Sequence, residues 1–369
     1  MLGDVALVHD YLTQRGGAER VVLAMSRAFP SASIYTALYE PSGTYAEFAG
    51  RDVRPLPINR VGILRRSHRL ALPVLAPAFS RLRLDGAVAV CSSSGWAHGV
   101  RTTGRKIVYC HSPAKWLYVP DRYFGEGMSP ARALVSPLRP ALTRWDRAAA
   151  ASADRYLVNS TMVKTWVQDV YGIEAEVLAP PHGVDADGPS RPVENLEAGF
   201  LLCVSRLMTY KNVLPLVDAF AELPGQRLVI VGSGPLEAEI RERAGSNVTL
   251  LGRVDDEQLR WLYQASSAVV AAAHEDFGLT PIEAAAFGRP VAVLRWGGFL
   301  DTVLEGVTGV YFDAPTARDI ADAVRTVSRE TWDEEAIRAH AESYSEERFV
   351  AELHRIVAEE SAQLGAGRP

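Results

Sequence analysis

Short apolar runs, each followed by a stretch of helical periodicity, recur along the whole chain and leave few folds open to it. In the second half the runs lie at 200–204, 227–231, 248–251, 268–272, 291–294 and 310–312. The helical stretches between them fall at about 212–222, 235–244, 256–264, 281–287 and 315–328. In the first half the runs are 5–8, 87–91, 106–110, 155–158 and 176–178, with helices over about 19–28, 129–152 and 161–170. A run that is apolar at every position, and not at alternate ones, predicts a strand covered on both faces. Strands alternating with helices predict parallel sheets joined by right-handed crossovers, so the fold class is α/β. Periodicity stops at Ala179-Pro180-Pro181-His182-Gly183-Val184-Asp185 and the polar run after it to Glu194, which reads as a linker. The expected organisation is 1–190, 191–345, and a terminal helix and tail over 346–369 that docks on either half. Two such halves are expected to form a cleft.

Size and charge remove several classes of function. A chain of 369 residues, 48% hydrophobic, has material for about two domains with ample cores. A formal net charge of −5 argues against a general nucleic-acid binder. Cys91, Cys110 and Cys203 stand far apart, without Cys-x-x-Cys spacing or paired histidines, which predicts buried reduced thiols, a cytoplasmic setting and no metal site. The first strand begins almost at once, with no secretory pattern before it, and no apolar run is long enough to span a bilayer.

Chemistry concentrates where strands end. The stretch Ala273-His274-Glu275-Asp276-Phe277-Gly278-Leu279-Thr280-Pro281-Ile282-Glu283-Ala284 follows a buried strand and leads into a helix. Strand–loop–helix junctions of this kind are where open α/β sheets bind ligands, and the helix start supplies unpaired N–H donors. Thr280 reads as the N-cap, Pro281 as the first helical residue, and Glu283 as the acid that closes a capping box. Glu283 is thus explained without a ligand, and Glu275 stands as a loop acid that either binds or is merely solvated. Arg206 and Lys211, just past the strand at 200–204, are spaced to clamp a diphosphate, the arginine in two-pronged fashion and the lysine as a point charge. Two solvated loop cations fit the same spacing. Gly16-Gly17 before the helix at 19–28 allow a close backbone approach to a ligand, or mark a plain tight turn. Gly232-Ser233-Gly234-Pro235 ends another strand, but Glu237 replaces the last glycine of a dinucleotide fingerprint. His111 stands at the tip of the strand at 106–110, in His111-Ser112-Pro113, placed to act as hydrogen-bond donor, as general base, or as a partner for a loop carbonyl.

Residues 54–83 carry Arg54, Arg60, Arg65, Arg66, Arg69, Arg81 and Arg83 among apolar residues, with no acid. A basic apolar segment in an acidic protein points to an anionic membrane surface or acceptor, with Arg65, Arg66 and Arg69 as contacts. A helical pair whose arginines snorkel over the core is the alternative.

Taken in order, these motifs resemble the retaining glycosyltransferases of family 4, which have the GT-B architecture of two Rossmann-like domains facing a cleft. The resemblance runs through Gly16-Gly17-Ala18-Glu19-Arg20, Ser205-Arg206 with Lys211-Asn212, Val231-Gly232-Ser233-Gly234-Pro235, and Glu275-Asp276-Phe277-Gly278-Leu279 with Glu283. His111-Ser112-Pro113, followed by Trp116 and Tyr118, resembles the bacterial mannosyltransferases that build O-antigen and other surface polysaccharides. The resemblance implies roles. Arg206 and Lys211 would bind the donor diphosphate, and Gly16, Gly17 and Gly232 would admit it. Glu275, with the N–H groups of Phe277, Gly278 and Leu279, would hold the transferred sugar. Glu283 would hold the ribose, Arg253 and Val254 would line the base pocket, and His111 would touch the donor sugar.

The implied reaction is transfer of a sugar, with GDP-mannose the favoured donor, onto a lipid-linked or glycan acceptor, with no essential metal and no further cofactor. The implied place is the cytoplasm, with peripheral contact on the inner face of the cell membrane. Transfer from a UDP- or dTDP-sugar to a small molecule, a sugar-nucleotide epimerase, and a non-catalytic sugar-nucleotide module are the competing readings. The loop Trp296-Gly297-Gly298-Phe299-Leu300-Asp301 departs from the family pattern at Phe299, Leu300 and Asp301.

Overall fold

The computed structural model describes residues 4–86, 88–124 and 130–364. Ala87 and residue 129, which bound two of the expected elements, lie outside them. The chain divides into two compact units, Met1–Pro181 with Glu346–Pro369, and His182–Ser345.

In the first unit, seven parallel strands form one sheet among the described residues: β1 (Val5–His9), β2 (Ile34–Thr36), β3 (Val53–Pro55), β4 (Val88–Ser93), β5 (Arg105–Cys110), β6 (Arg155–Val158) and β7 (Glu176–Val177). Their spatial order is β3-β2-β1-β4-β5-β6-β7, so the winding reverses between β1 and β4. Alternation along each strand divides the side chains. Ala6, Val8, Ala89, Cys91 and Val108 face one core, and Leu7, Val88, Val90, Ile107 and Tyr109 the other. Helix α1 (Gly17–Ala28) covers the second face with Val21, Val22 and Met25. The basic stretch folds as α2 (Gly62–Arg66) and α3 (His68–Arg81), and α3 covers the first face with Ala71, Leu72, Leu75 and Phe79. The helices expected over about 129–152 are Pro130–Val135 and Arg139–Ala151, joined by a tighter turn at Ser136–Leu138. Pro137 and Pro140 remove the backbone donors that a continuous helix needs.

The second unit repeats the plan. Strands β8 (Leu201–Val204), β9 (Leu228–Val231), β10 (Val248–Gly252), β11 (Ala268–Ala271), β12 (Val291–Leu294) and β13 (Gly309–Phe312) lie parallel in the order β10-β9-β8-β11-β12-β13. Here the winding reverses between β8 and β11. Helix α4 (Leu279–Ala286) follows β11.

The terminal helix, α5 (Glu346–Leu364), belongs to the first unit. Its apolar face, Phe349, Leu353, Ile356 and Val357, completes the core that α1 begins. Arg27 pairs with Glu346, and Arg105 Nε donates to Glu360 Oε2 at 2.7 Å.

Candidate functional site

In each unit the winding reversal opens a crevice at the strands' carboxyl ends, the place where sheets of this topology bind ligands. In the second unit the loops after β8 and β11 meet there. Asn212 adopts a left-handed conformation, φ +51°, and its Nδ2 donates to the Ala272 carbonyl at 2.8 Å. The His274 N–H donates to the Tyr210 carbonyl at 3.1 Å. This double tie brings Lys211 Nζ onto the carboxylate of Glu275 as a partly buried ion pair. Arg206 stays exposed beside it and donates from Nη2 to the Tyr210 hydroxyl at 2.7 Å. Two cations and one acid, far apart in sequence, thus share one strand-end crevice.

The glycines around this crevice answer to packing. A Cβ on Gly232 would stand 1.9 Å from the Ser205 carbonyl oxygen, and one on Gly234 would stand 2.5 Å from that of Leu207. Either side chain would push the loops after β8 and β9 apart. Arg253, past β10, donates from Nε to Ser233 Oγ at 2.9 Å, and Val254 packs on the core. Gly278 is the N-cap of α4, at φ +85°, with the Phe299 ring 2.4 Å from where a Cβ would be. Phe299 therefore fills the space under the helix start, which accounts for that departure from the family pattern. Phe277 is buried beside it, and Leu279 is the first helical residue.

The expected capping box does not form. Because the chain turns at Gly278, Thr280 and Pro281 already lie inside the first turn, and the N-cap residue has no side chain to cap the helix. Glu283 is instead buried, with Oε2 accepting from the Tyr263 hydroxyl at 2.9 Å.

The crevice of the first unit holds a buried polar cluster. Asp10 accepts from the backbone N–H groups of Ser94 and Ala97, both at 2.6 Å, and so shapes the loop after β4. His111, past β5, has Nε2 2.8 Å from Ser92 Oγ. Burial, reinforced by His9, pushes its pKa down to about 3. Burial also works against charge on His9, but the nearby Glu19 carboxylate, together with Asp10 and the Ser92 carbonyl, outweighs it and the His9 pKa is raised. Glu19 lies in the first turn of α1, and Gly16 is the N-cap in an extended conformation, with Gly17 the first helical residue. A Cβ on Gly16 would stand 2.6 Å from Glu19 Oε2.

Three arginines of the basic stretch do not all sit alike. Arg65 is turned inward, donating from Nε to Glu40 Oε2 at 3.3 Å and from Nη1 to the Asn59 carbonyl at 2.9 Å. The acid comes from outside the stretch, where local sequence does not show it. Arg66 and Arg60 are exposed beside Ile63, which is 63% exposed. The side chain of Arg69 lies outside the described residues.

The crevice residues that sequence reasoning left without a role are His9, Glu19, Ser92, Asn212 and Tyr263. His9 and Ser92 carried a signal, being polar residues that end otherwise apolar strands. Tyr263 carried none. Burial pushes the Cys91 and Cys203 thiols up to about 12, so neither is an available thiolate.

Residues 15–187 match the family Glycosyltransferase Family 4, and residues 189–348 match Glycosyl transferases group 1. The chain belongs to glycosyltransferase family 4. The D-rhamnosyltransferase WbpZ of Pseudomonas aeruginosa is 30% identical to it over 242 residues, 60% of this chain and 61% of that protein. The O-antigen chain mannosyltransferase C of Escherichia coli is 36% identical over 155 residues, 38% and 40% of the two chains. The match thus spans about three fifths of the first relative and two fifths of the second. The human alpha-1,3/1,6-mannosyltransferase ALG2 is 25% identical, with 93% of this chain and 92% of that one covered. Among solved structures, a sucrose-phosphate synthase of Thermosynechococcus elongatus superposes with a TM-score of 0.71 at 19% identity, covering 97% of this chain and 100% of that one. Anabaena HepE, solved with UDP and glucose, gives 0.69 at 17% identity, covering 96% and 99%. The two Rossmann-like sheets of this family 4 protein are therefore those of the GT-B fold.

Proposed function

We propose that the protein transfers a sugar from a nucleoside-diphosphate donor, with GDP-mannose favoured, to a lipid-linked or glycan acceptor in surface-polysaccharide synthesis, and that the anomeric configuration is retained. The observation that carries this reading is the Lys211–Glu275 pair at the β8/β11 reversal, with Arg206 beside it. The relatives named for mannosyl and rhamnosyl transfer support the sugar class.

The chemistry follows from these groups. Lys211 has three donors, so it keeps Glu275 and still reaches a β-phosphate. As the bond from the anomeric carbon to the β-phosphate oxygen breaks, Lys211 and Arg206 stabilise the charge that develops on the diphosphate. The acceptor oxygen bonds to the same face of the sugar, and its proton passes to the departing phosphate. Glu275, with the backbone of Phe277, Gly278 and Leu279, holds sugar hydroxyls. Glu283 holds the ribose, Gly232, Arg253 and Val254 the base side, and Gly16, Gly17 and His111 the phosphate and sugar. No metal is required in this scheme.

Thermal-shift titration with GDP, UDP, ADP and dTDP in EDTA tests the reading, since a ligand of the folded state raises the melting point by mass action. GDP is expected to shift it, and Lys211→Ala to abolish the shift. A response to UDP or dTDP alone would move the protein to the small-molecule reading, and no response to any nucleotide would remove the donor site. Glu275→Ala is expected to abolish transfer while the protein stays folded. Release of nucleotide and an epimerised sugar without acceptor would make it an epimerase.

We further propose that the protein works in the cytoplasm and that the exposed Ile63 flanked by Arg60 and Arg66 rests on anionic lipid. No helix among the described residues is long and apolar enough to cross a membrane. Co-sedimentation with phosphatidylserine vesicles is expected, and is expected to be lost in Ile63→Ser with Arg66→Gln.

A further inference from the structure

We propose that Glu19, His9 and Ser92 form a buried chain that fixes the neutral imidazole of His111 in the Nδ1–H tautomer. His9 Nδ1 lies 3.1 Å from the Ser92 backbone oxygen and 3.0 Å from Ser92 Oγ. A carbonyl oxygen only accepts, so His9 Nδ1 carries a hydrogen. Ser92 Oγ receives that same N–H, and its own hydrogen is left to turn the other way. There, at 2.8 Å, it meets Nε2 of His111. Nε2 accepts, and the single hydrogen of a neutral imidazole must then sit on Nδ1.

The rest of the chain holds this arrangement in place. Glu19 Oε1 stands 4.0 Å from His9 Nε2, and both side chains are almost fully buried. The carboxylate favours the charged form of His9, and charge on His9 opposes charge on His111. Burial acts in the same direction on His111. Its backbone is fixed as well, with its N–H on the Ser93 carbonyl at 2.9 Å and its carbonyl taking Asn159 Nδ2 at 3.1 Å. Gly16 fits the same account, because any side chain there would displace the Glu19 carboxylate. Among the described residues, His111 Nδ1 has no hydrogen-bond partner.

A consequence follows, resting on the donor-sugar role proposed for His111. With Nε2 occupied, His111 offers a donor and not a base. It orients a sugar hydroxyl by giving a hydrogen bond, which agrees with a mechanism in which the departing phosphate takes the acceptor proton. His9, Glu19 and Ser92 are then positioning residues.

The tautomer is read directly by long-range proton–nitrogen NMR of the full-length protein labelled with 15N-histidine, the His111 signals being assigned by their loss in His111→Gln. The resting protein is expected to show a protonated Nδ1 and a bare Nε2. Ser92→Ala is expected to release the ring toward the Nε2–H form, and Ser92→Thr, which keeps the hydroxyl, to restore Nδ1–H. A wild-type signal from Nε2–H would overturn the proposal, and so would an unchanged tautomer in folded Ser92→Ala. No substrate enters this measurement, so it stands or falls separately from the donor reading. Affinity tests the consequence: Ser92→Ala is expected to weaken GDP-mannose by roughly tenfold and leave GDP unchanged. If neither ligand binds the wild type, the donor reading fails and the tautomer result is unaffected.

Discussion

Glu283, buried, and His111, half-buried, are groups whose behaviour depends on their surroundings more than on their type. Glu283 lies inside α4 and not at the expected capping position, so its substitution separates stability from binding. Glu283→Gln keeps a carbonyl oxygen for the Tyr263 hydroxyl, and its melting temperature is expected to stay within about 2 °C of wild type, a shift below 1 kcal/mol for a domain this size. Nucleotide affinity is expected to drop by at least tenfold, about 1.4 kcal/mol; a loss of stability with affinity intact would show the acid to be structural only. For His111 the sign of the pH effect is fixed by direction. Its pKa falls from 6.5 unfolded to about 3 folded. Between those values the unfolded state binds more protons, so this group's contribution to stability is complete above pH 6.5 and is lost as the pH falls. His9 is shifted the other way, and its contribution is present below 6.5 and lost as pH rises through its folded value. Urea unfolding of His111→Gln is therefore expected to show a shallower loss of stability on acidification below pH 6.5, by up to about 1.4 kcal/mol per pH unit. A slope equal to that of wild type would mean the ring is protonated in the native state.

At the scale of the element, the start of α4 shows how a loop is shaped for ligand contact. The helix begins at a glycine in the left-handed region, with an aromatic ring against its Cα. Gly278→Ala is expected to cost about 1–3 kcal/mol in unfolding free energy, from backbone strain together with displacement of Phe299. Truncating the ring in Gly278→Ala/Phe299→Ala would remove the collision but leave the strained φ, so the second change should add less than its own cavity cost. If Gly278→Ala unfolds at the wild-type urea concentration, the loop is softer than its packing indicates. The strand-end motifs were legible because parallel strands leave their ligand loops at one end. The cap was misplaced because Thr-Pro-x-Glu carries every local sign of a helix start, while the turn that begins this helix is fixed by Gly278 against Phe299, twenty-one positions on in sequence.

For the whole molecule, the return of α5 to the first unit has the largest consequence. The fragment 1–181 lacks Phe349, Leu353, Ile356 and Val357, and leaves the α1 face of its sheet partly uncovered. It is expected to aggregate or to bind a dye for exposed apolar surface, whereas 182–345, whose core is its own, is expected to fold cooperatively. Adding a 346–364 peptide to the first fragment should restore a sharp unfolding transition. A well-folded 1–181 without the peptide would show that α5 is dispensable for this core.

Local sequence determined most of this protein: the α/β class, the strands of both sheet centres, a linker within 179–194, and the ordered set of motifs that marks a family 4 glycosyltransferase. Those features are written in contiguous residues, because a buried strand must be apolar throughout and a ligand loop must follow it. Tertiary structure decided what depends on residues distant in the chain. Strands β2 and β3, three residues each, are too short to carry a period; β2 forms on the edge that β1 offers, and β3 on the edge that β2 offers in turn. The Lys211–Glu275 pair, the Tyr263–Glu283 bond, the Glu40 partner of Arg65 and the His9–Ser92–His111 chain all join side chains from separate elements. Their energies come from burial and proximity, which exist only once the sheets have wound.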